Sequence, residues 1–210
     1  LSSIKAYAET LRNGAMEDEK NRGRFIEIIQ DQADRLNLLI SDLLSLARIE
    51  QGKTLMEIRR VPISRVIDAC MHDQQRAAEE KQISLQVESS DESVQVNADE
   101  DGLRQILINL IDNAIKYTPN EGRVSVGWDK VGDQVQVYVE DTGLGIPKEM
   151  QERVFERFFR VDKARSRELG GTGLGLAIVK HLAQSFGGSV EVKSEPGEGC
   201  RFTVSLPLGG

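Results

Sequence analysis

The segment of residues 99–119 constrains the fold most strongly, because it combines a helical apolar stripe with a second, polar face. The apolar residues that recur at helical spacing are Leu103, Ile106, Leu107, Leu110, Ile111, Ala114 and Ile115. Asn109, Asn113 and Lys116 lie four and three residues apart, so their side chains share one face of this helix and can converge on a ligand. Pro119 ends the helix and leaves Tyr117 near its end as a flat surface for a base.

The polar face has the donor chemistry of a magnesium-nucleotide site. The amide oxygens of Asn109 and Asn113 are hard ligands suited to Mg²⁺, which takes its remaining bonds from water and phosphates. The ammonium of Lys116 is a point charge suited to phosphate. These residues predict that the helix binds Mg²⁺ and a nucleotide, although a solvated polar face explains the same residues when they are taken alone.

A second polar motif, Asp-Thr-Gly-Leu-Gly at residues 141–145, directly follows an alternating strand. The carboxylate of Asp141 can accept a hydrogen bond from the exocyclic amine of adenine, whereas guanine presents a carbonyl at that position and is repelled. Gly143 and Gly145 let the backbone turn tightly and approach the ring. The motif predicts an adenine pocket, and a plain strand-end turn is the alternative.

The glycine segment, Gly-Thr-Gly-Leu-Gly at residues 171–175, opens the last predicted helix. It can direct the backbone amides of Thr172 and Leu174 towards phosphate at a helix N-terminus. A dinucleotide-binding fold needs Gly-x-Gly-x-x-Gly directly after a strand, whereas this segment follows the charged residues 160–167. Those charged residues are interpreted as a mobile lid over the nucleotide, with a merely solvated loop as the alternative.

Four motifs, the asparagine helix, Asp-x-Gly-x-Gly, Phe-x-x-Phe-Phe at residues 155–159 and Gly-x-Gly-x-Gly, occur in this order. The order resembles the ATP-binding domain of sensor histidine kinases, in the superfamily shared with DNA gyrase, Hsp90 and MutL, and the resemblance covers essentially all 210 residues. It implies catalytic roles for Asn113, Lys116 and Arg160, with Arg160 stabilising the transferred γ-phosphate, and Mg²⁺ at Asn113 and Asn109. The implied ATP-binding residues are Asn109, Asn113, Lys116, Tyr117, Asp141, Gly143, Gly145, Arg160, Gly171, Thr172, Gly173, Leu174 and Gly175.

The first part of the chain predicts a helical hairpin. Residues 1–13 have helical apolar spacing, Gly14 ends that helix, and acidic residues 17–19 suit the start of the next one. The second helix has two columns of residues at helical spacing, which are apolar except at Gln32: Phe25, Ile29, Gln32, Leu36, Leu39, Leu43 and Leu46, and Ile26, Ala33, Ile40 and Ala47. So wide a seam favours two hairpins packed as a four-helix dimer, with a monomeric hairpin docked on the next domain as the alternative.

The pattern changes after a predicted linker, which divides the chain into a dimerisation and phosphotransfer hairpin (1–53) and a catalytic ATP-binding domain (54–210). Gly52-Lys53-Thr54 is no phosphate loop, because Ala47 stands where that motif needs glycine. The second domain is expected to be an α+β sandwich with a mixed sheet and helices on one face. Strands are predicted at 55–61, 83–88, 94–96, 124–128, 135–139, 189–192 and 201–206, and helices from 62 or 64 to 81, at 99–118 and at 173–186.

Composition excludes several other classes of function. The net charge of −7 and pI near 5.1 argue against nucleic acid or an anionic membrane surface as a partner. No apolar run approaches the roughly 18 residues of a membrane span, so a soluble chain without membrane contact is expected. Cys70 and Cys200 have no metal-ligand spacing and are expected to be reduced thiols.

The acceptor end of the expected reaction departs from the family pattern. In this family the accepting histidine lies in a His-Glu-Leu-Arg-Thr-Pro-Leu type motif, whose last residue aligns with Leu1, so the acceptor is expected six residues before Leu1. His72 and His181 are not followed by the expected residues and are interpreted as surface or half-buried histidines. The chain by itself is therefore expected to bind ATP and dimerise without phosphorylating itself.

The resemblance implies the catalytic core of a two-component sensor histidine kinase, similar to phosphate-responsive members. Its partners would be a second copy and a response regulator, and it would be the cytoplasmic portion of a bacterial membrane-anchored sensor. One rival is an ATP-binding dimeric regulatory module without phosphotransfer. The other is an ATPase of the chaperone or mismatch-repair kind, which is disfavoured because Asp112 is expected to point off the ligand face.

Overall fold

The computed structural model describes residues 2–16, 18–50, 56–89, 91–162 and 171–209. Its helices are α1 (Ser2–Thr10), α2 (Glu19–Glu50), α3 (Ile63–Glu80), α4 (Glu100–Tyr117) and α5 (Gly175–Ser185). Its strands are β1 (Arg59–Pro62), β2 (Ser84–Val87), β3 (Gln95–Ala98), β4 (Arg123–Val131), β5 (Gln134–Asp141), β6 (Ser189–Glu195) and β7 (Gly199–Pro207). A π-helical turn (Leu11–Ala15) follows α1, and 3₁₀ turns lie at Lys148–Met150 and Arg153–Phe155.

The helical hairpin forms where the sequence predicts it. The backbone breaks at Gly14, whose φ of +123° is one that residues with side chains rarely adopt. Asp18 then caps α2, because its Oδ1 accepts hydrogen bonds from the amides of Lys20 (3.1 Å) and Asn21 (3.2 Å). The rings of Tyr7 and Phe25 lie 5.5 Å apart and join α1 to α2.

Helix α2 has apolar residues on two faces. On the first face, Leu39 and the almost completely buried Leu46 pack against the core of the ATP-binding domain. Among the α2 residues whose burial is described, the large apolar side chains that remain exposed are Ile26, Leu38, Ile40, Leu43 and Leu44. The hairpin therefore docks on the next domain and still presents an apolar face, so the two predicted packing arrangements do not exclude each other.

The main sheet is mixed, as predicted. Its strand order is β2-β4-β5-β7-β6, with β2 parallel to β4 and the remaining neighbours antiparallel. Strands β1 and β3 form a separate antiparallel pair. The predicted first strand begins late, at Arg59, because it pairs only with the short β3, and Pro62 belongs to this strand rather than to the helix. The sequence predicts the helix end and linker at residues 50–54: Glu50 is the last residue of α2, and residues 51–54, like the predicted strand start at Leu55, lie outside the described residues.

The helices α3, α4 and α5 pack side by side, with α4 between the other two and in contact with β4 and β5. All seven residues of the predicted apolar stripe on α4 are buried. Asp99 caps the helix, since its Oδ1 accepts from the amide of Gly102 at 2.9 Å. Because the stripe faces the core, the polar residues Asn109, Asn113 and Lys116 lie on the less buried side of α4. Within the described ranges, no helix is long and apolar enough to cross a membrane.

Candidate nucleotide-binding site

The exposed side of α4 carries the predicted asparagines next to the glycine segment. Asn109 and Asn113 are half-buried, and their side-chain amides form no hydrogen bond with another described residue. A Cβ atom added to Gly175 would lie 3.0 Å from Asn109 Oδ1, so α4 closely approaches the start of α5. Two amide groups thus remain available for a ligand beside the predicted phosphate loop.

Lys116 also lies on this face, paired with a neighbouring carboxylate. Its Nζ is 2.7 Å from Asp112 Oδ2, and both side chains are partly exposed. The prediction that Asp112 points off the ligand face is wrong. Residues four apart on a helix are neighbours, so the carboxylate of Asp112 is drawn to the ammonium of Lys116.

The predicted base end of the site is built around Asp141, the last residue of β5. Asp141 is 6% exposed, and its Oδ1 accepts from the amides of Gly143 (2.8 Å) and Cys200 (3.3 Å). Burial raises the pKa of Asp141 to about 6, against the effect of these two amides. A Cβ atom on Gly143 would lie 2.7 Å from both Asp141 Oδ1 and the carbonyl oxygen of Tyr117. The predicted base residues Tyr117, Asp141 and Gly143 therefore converge.

The loop after Asp141 is attached to the hairpin of β6 and β7. Gly145 has φ +69°, and a Cβ atom there would lie 1.9 Å from the carbonyl oxygen of Glu195. The amide of Ile146 donates to Ser194 Oγ at 2.8 Å. Only glycine allows this approach at residue 145. Ser194 and the amide of Cys200 are positioning groups that the sequence motifs did not reveal, because they come from distant strands.

The glycine segment is held by the phenylalanine motif. The amide of Phe158 donates to the carbonyl oxygen of Gly173 at 2.8 Å, and Gly173 has φ +77°. Leu174 is fully buried, and its amide donates to Thr172 Oγ1 at 3.2 Å. The predicted donation from the Leu174 amide to phosphate therefore requires this bond to exchange, and it stays a prediction.

Charged groups converge on Gly171 and Thr172. The guanidinium of Arg160 donates to the carbonyl oxygen of Gly171, and so does that of Arg35 from α2, at 3.4 Å. Thr172 Oγ1 donates to Asp42 Oδ2 of α2 at 2.7 Å. Burial raises the pKa of Asp42, while the bond from Thr172 and the charge of Lys116 oppose that shift. The helical hairpin thus contacts the predicted phosphate site through residues that no sequence motif indicated.

The histidines and cysteines lie in the surroundings that the sequence predicts. His72 is exposed on α3, His181 is half-buried on α5, and Cys70 and Cys200 are free thiols, all as predicted. Among the residues described, no group of three or more His, Cys, Asp or Glu side chains could hold a metal ion. The asparagine amides of α4, together with phosphate oxygens, fit the ligand chemistry of Mg²⁺. Most of the predicted lid, at residues 163–167, lies outside the described ranges.

A mixed sheet covered by three helices, with polar side chains of α4 facing a glycine segment at a helix start, defines a nucleotide-binding α+β domain. The family model "Histidine kinase-, DNA gyrase B-, and HSP90-like ATPase" matches residues 98–210, and "His Kinase A (phospho-acceptor) domain" matches residues 1–52. The chain belongs to this ATPase family and, within it, to the sensor histidine kinases.

Individual relatives agree with this assignment. The sensor-like histidine kinase SenX3 of Mycolicibacterium smegmatis is 40% identical over 99% of this chain and 53% of SenX3. The sensor histidine kinase WalK of Bacillus subtilis is 36% identical over 99% of this chain and 34% of WalK. The crystal structure of full-length ShkA in complex with AMPPNP is 31% identical, has a TM-score of 0.76, and covers 90% of this chain and 39% of ShkA. The chain thus spans about half the length of SenX3 and a smaller share of the other two.

Proposed function

We propose that the chain is the catalytic core of a two-component sensor histidine kinase, in which residues 1–53 form the dimerisation and phosphotransfer hairpin and residues 54–210 bind ATP. The observation that carries this proposal is the pair of asparagine amides on α4, which have no hydrogen-bond partner among the described residues and lie beside the glycine segment. Membership of the ATPase family and the AMPPNP bound to ShkA support ATP as the ligand. The similarity to SenX3, a sensor-like histidine kinase, supports the kinase class, and membership of the phosphate-responsive subgroup is part of the proposal.

Each site residue has a role that follows from its position. The carboxylate of Asp141 accepts from the exocyclic amine of adenine, which stacks near Tyr117, while Gly143 and Gly145 keep the pocket wall free of side chains. In the glycine segment, Gly171, Gly173 and Gly175 provide the backbone path, and the amides of Thr172 and Leu174 face the phosphates.

Charge neutralisation provides most of the expected catalysis, because phosphoryl transfer needs little covalent help from a protein. Lys116 exchanges Asp112 for a phosphate oxygen, and Arg160 exchanges the carbonyl of Gly171 for the γ-phosphate. The oxygens of Asn113 and Asn109 would hold Mg²⁺, which supplies positive charge between the phosphates when it is bound. The site therefore holds the γ-phosphate in position for attack by a nucleophile from another segment.

The proposed partners follow from the exposed surface and the family. The apolar face of α2 that includes Ile40 and Leu43 packs against a second copy in a four-helix bundle. The γ-phosphate passes to a histidine in residues that precede Leu1 and then to an aspartate of a response-regulator receiver domain. We place the chain in the cytoplasmic portion of a bacterial membrane-anchored sensor.

The test uses γ-labelled ATP with Mg²⁺ and two proteins: this chain, and a longer version with the natural residues that precede Leu1. Phosphohistidine is labile in acid and stable in alkali. Only the longer version should take up acid-labile label, and its Asn113→Ala variant should take up none. If neither protein is labelled although both bind ATP, transfer is absent and the chain is a regulatory ATP-binding module.

The chaperone-type ATPase has less support. It needs a carboxylate on α4 that activates water, and Asp112, which is paired with Lys116 at 2.7 Å, is the candidate for that role. The match of residues 1–52 to the phospho-acceptor domain of histidine kinases favours the kinase instead. Release of free phosphate by this chain at a rate that Asp112→Asn abolishes would favour that rival.

A further inference from the structure

Lys81 lies just after the end of α3 and contacts the C-terminal end of α4. Its Nζ donates to the carbonyl oxygens of Ile115 (2.7 Å), Lys116 (3.1 Å) and Thr118 (2.7 Å). An ammonium group has three donors, so all of them are used. The last carbonyls of a helix have no partner within the helix, and here the side chain of the residue that follows α3 donates to them.

The backbone of Lys81 is fixed to the same region. Its carbonyl oxygen accepts from the amide of Glu121 at 3.3 Å, and the amide of Ser84 donates to the carbonyl of Gly122 at 2.9 Å. Because Pro119 prevents α4 from continuing, the chain must turn at this point. Lys81 therefore connects the end of α3, the last turn of α4 and the following loop.

The turn that Lys81 contacts carries residues of the nucleotide site. Lys116 and Tyr117 are the last two residues of α4. The carbonyl oxygen of Tyr117 approaches Gly143 so closely that a Cβ atom there would lie 2.7 Å away. Even a small displacement of this turn would move Tyr117 relative to Asp141 and Gly143. The geometry of the base pocket thus depends on how the end of α4 is held.

Electrostatics favours the same arrangement. A cation at a helix C-terminus stabilises the negative end of the helix dipole. Partial burial lowers the pKa of Lys81, because it removes water from around the ammonium group. The three carbonyl oxygens accept the hydrogen bonds that water would otherwise accept. An apolar side chain of similar length would leave these carbonyls without a donor.

We propose that Lys81 is a positioning residue of the nucleotide site, whose ammonium group holds the last turn of α4 so that Tyr117 and Lys116 face the ligand opposite Asp141 and Gly143. Lys81 itself does not touch the ligand. This role rests on the proposed function, because it requires that ATP binds at this site.

The test compares Lys81→Met, which keeps the length of the side chain and removes the charge, with Lys81→Arg, which keeps a cationic donor. The matched control is Lys130→Met, at an exposed lysine on β4. For each variant, the dissociation constants of Mg-ATP and of adenosine are measured by calorimetry, and the melting temperature is measured separately.

Lys81→Met should weaken adenosine binding about tenfold and ATP binding at least as much, because the base pocket and Lys116 are both displaced. Lys81→Arg should restore most of the affinity, and Lys130→Met should leave both constants unchanged. If Lys81→Met fails to fold, Lys81→Gln, which keeps two donors, should show a smaller loss for both ligands.

A lower melting temperature with unchanged dissociation constants would overturn the proposal, because Lys81 would then act on stability alone. A loss confined to ATP would also contradict it, since displacement of Tyr117 must affect adenosine. If the wild-type chain binds neither ligand, the proposed function itself fails, and the positioning role fails with it.

Discussion

The contact between Asp42 and Thr172 leads to a specific prediction for Asp42→Asn. The carboxylate of Asp42 accepts from Thr172 Oγ1 at 2.7 Å and experiences the positive charge of Lys116. A triphosphate bound at the glycine segment would compete with this carboxylate for the same groups and would be repelled by it. Removal of the charge should therefore strengthen ATP binding.

The magnitude follows from the type of hydrogen bond. A hydrogen bond to a charged group contributes about 1.5–3 kcal/mol, and a neutral one about 0.5–1.5 kcal/mol. The amide oxygen introduced by Asp42→Asn would still accept a bond, so the change from charged to neutral acceptor is about 1 kcal/mol, or roughly fivefold in affinity. Asp42→Asn should bind Mg-ATP about fivefold more tightly, with adenosine unchanged because it has no phosphate.

Calorimetric titration of the wild-type chain, Asp42→Asn and the control Asp34→Asn, an exposed carboxylate on the same helix, measures this effect. Weaker or unchanged ATP binding by Asp42→Asn would refute the competition. An equal change for adenosine would show instead that Asp42 acts on the whole pocket.

Three further predictions concern other parts of the structure. The pKa of Asp141, raised to about 6 in the folded chain, lies above its unfolded value, so its carboxyl group reduces stability as the pH rises from 4 to 6. Asp141→Asn should raise the free energy of unfolding at pH 7 by about 3 kcal/mol, with no gain at pH 3, and should abolish adenosine binding. Urea unfolding at both pH values checks the first part. Gly145→Ala should cost at least about 2 kcal/mol in the same assay, because its Cβ would meet Glu195, whereas Gly132→Ala, with a similar φ but open space around it, should cost about 1 kcal/mol. Ile40→Asp should convert the proposed dimer to monomers in sedimentation, and an unchanged dimer would show that this face of α2 is not the interface.

The fold follows largely from local patterns in the sequence. The apolar stripe of α4 is periodic, and its period states directly which side chains are buried. The alternating apolar residues of β4 predict a strand, but Ser125 between them is buried as well, so the alternation does not define the buried side chains there. Gly14 and Pro119 mark chain reversals through their own backbone preferences. The start of β1 was less predictable, because a short strand depends on its partner strand rather than on its own residues.

The site was only partly predictable. The motifs indicate Asn109, Asn113 and Asp141, because their chemistry and spacing are local. The contacts of Asp42 with Thr172 and of Lys81 with the end of α4 join residues far apart in the sequence, so they depend on how helices pack. The prediction that Asp112 points off the ligand face was wrong for another reason. The side chain of Asp112 pairs with Lys116, and this pairing depends on side-chain direction as well as on helical spacing.

The most direct test of the central claim is a calorimetric titration of this chain with Mg-ATP and with Mg-GTP, repeated for Asn113→Ala and for the control Asn120→Ala in the exposed loop after α4. We predict that one ATP binds per chain, that GTP does not bind, that Asn113→Ala loses ATP binding, and that Asn120→Ala retains it. Absence of ATP binding by the wild-type chain, or equal binding by the two asparagine variants, would contradict a nucleotide site on α4.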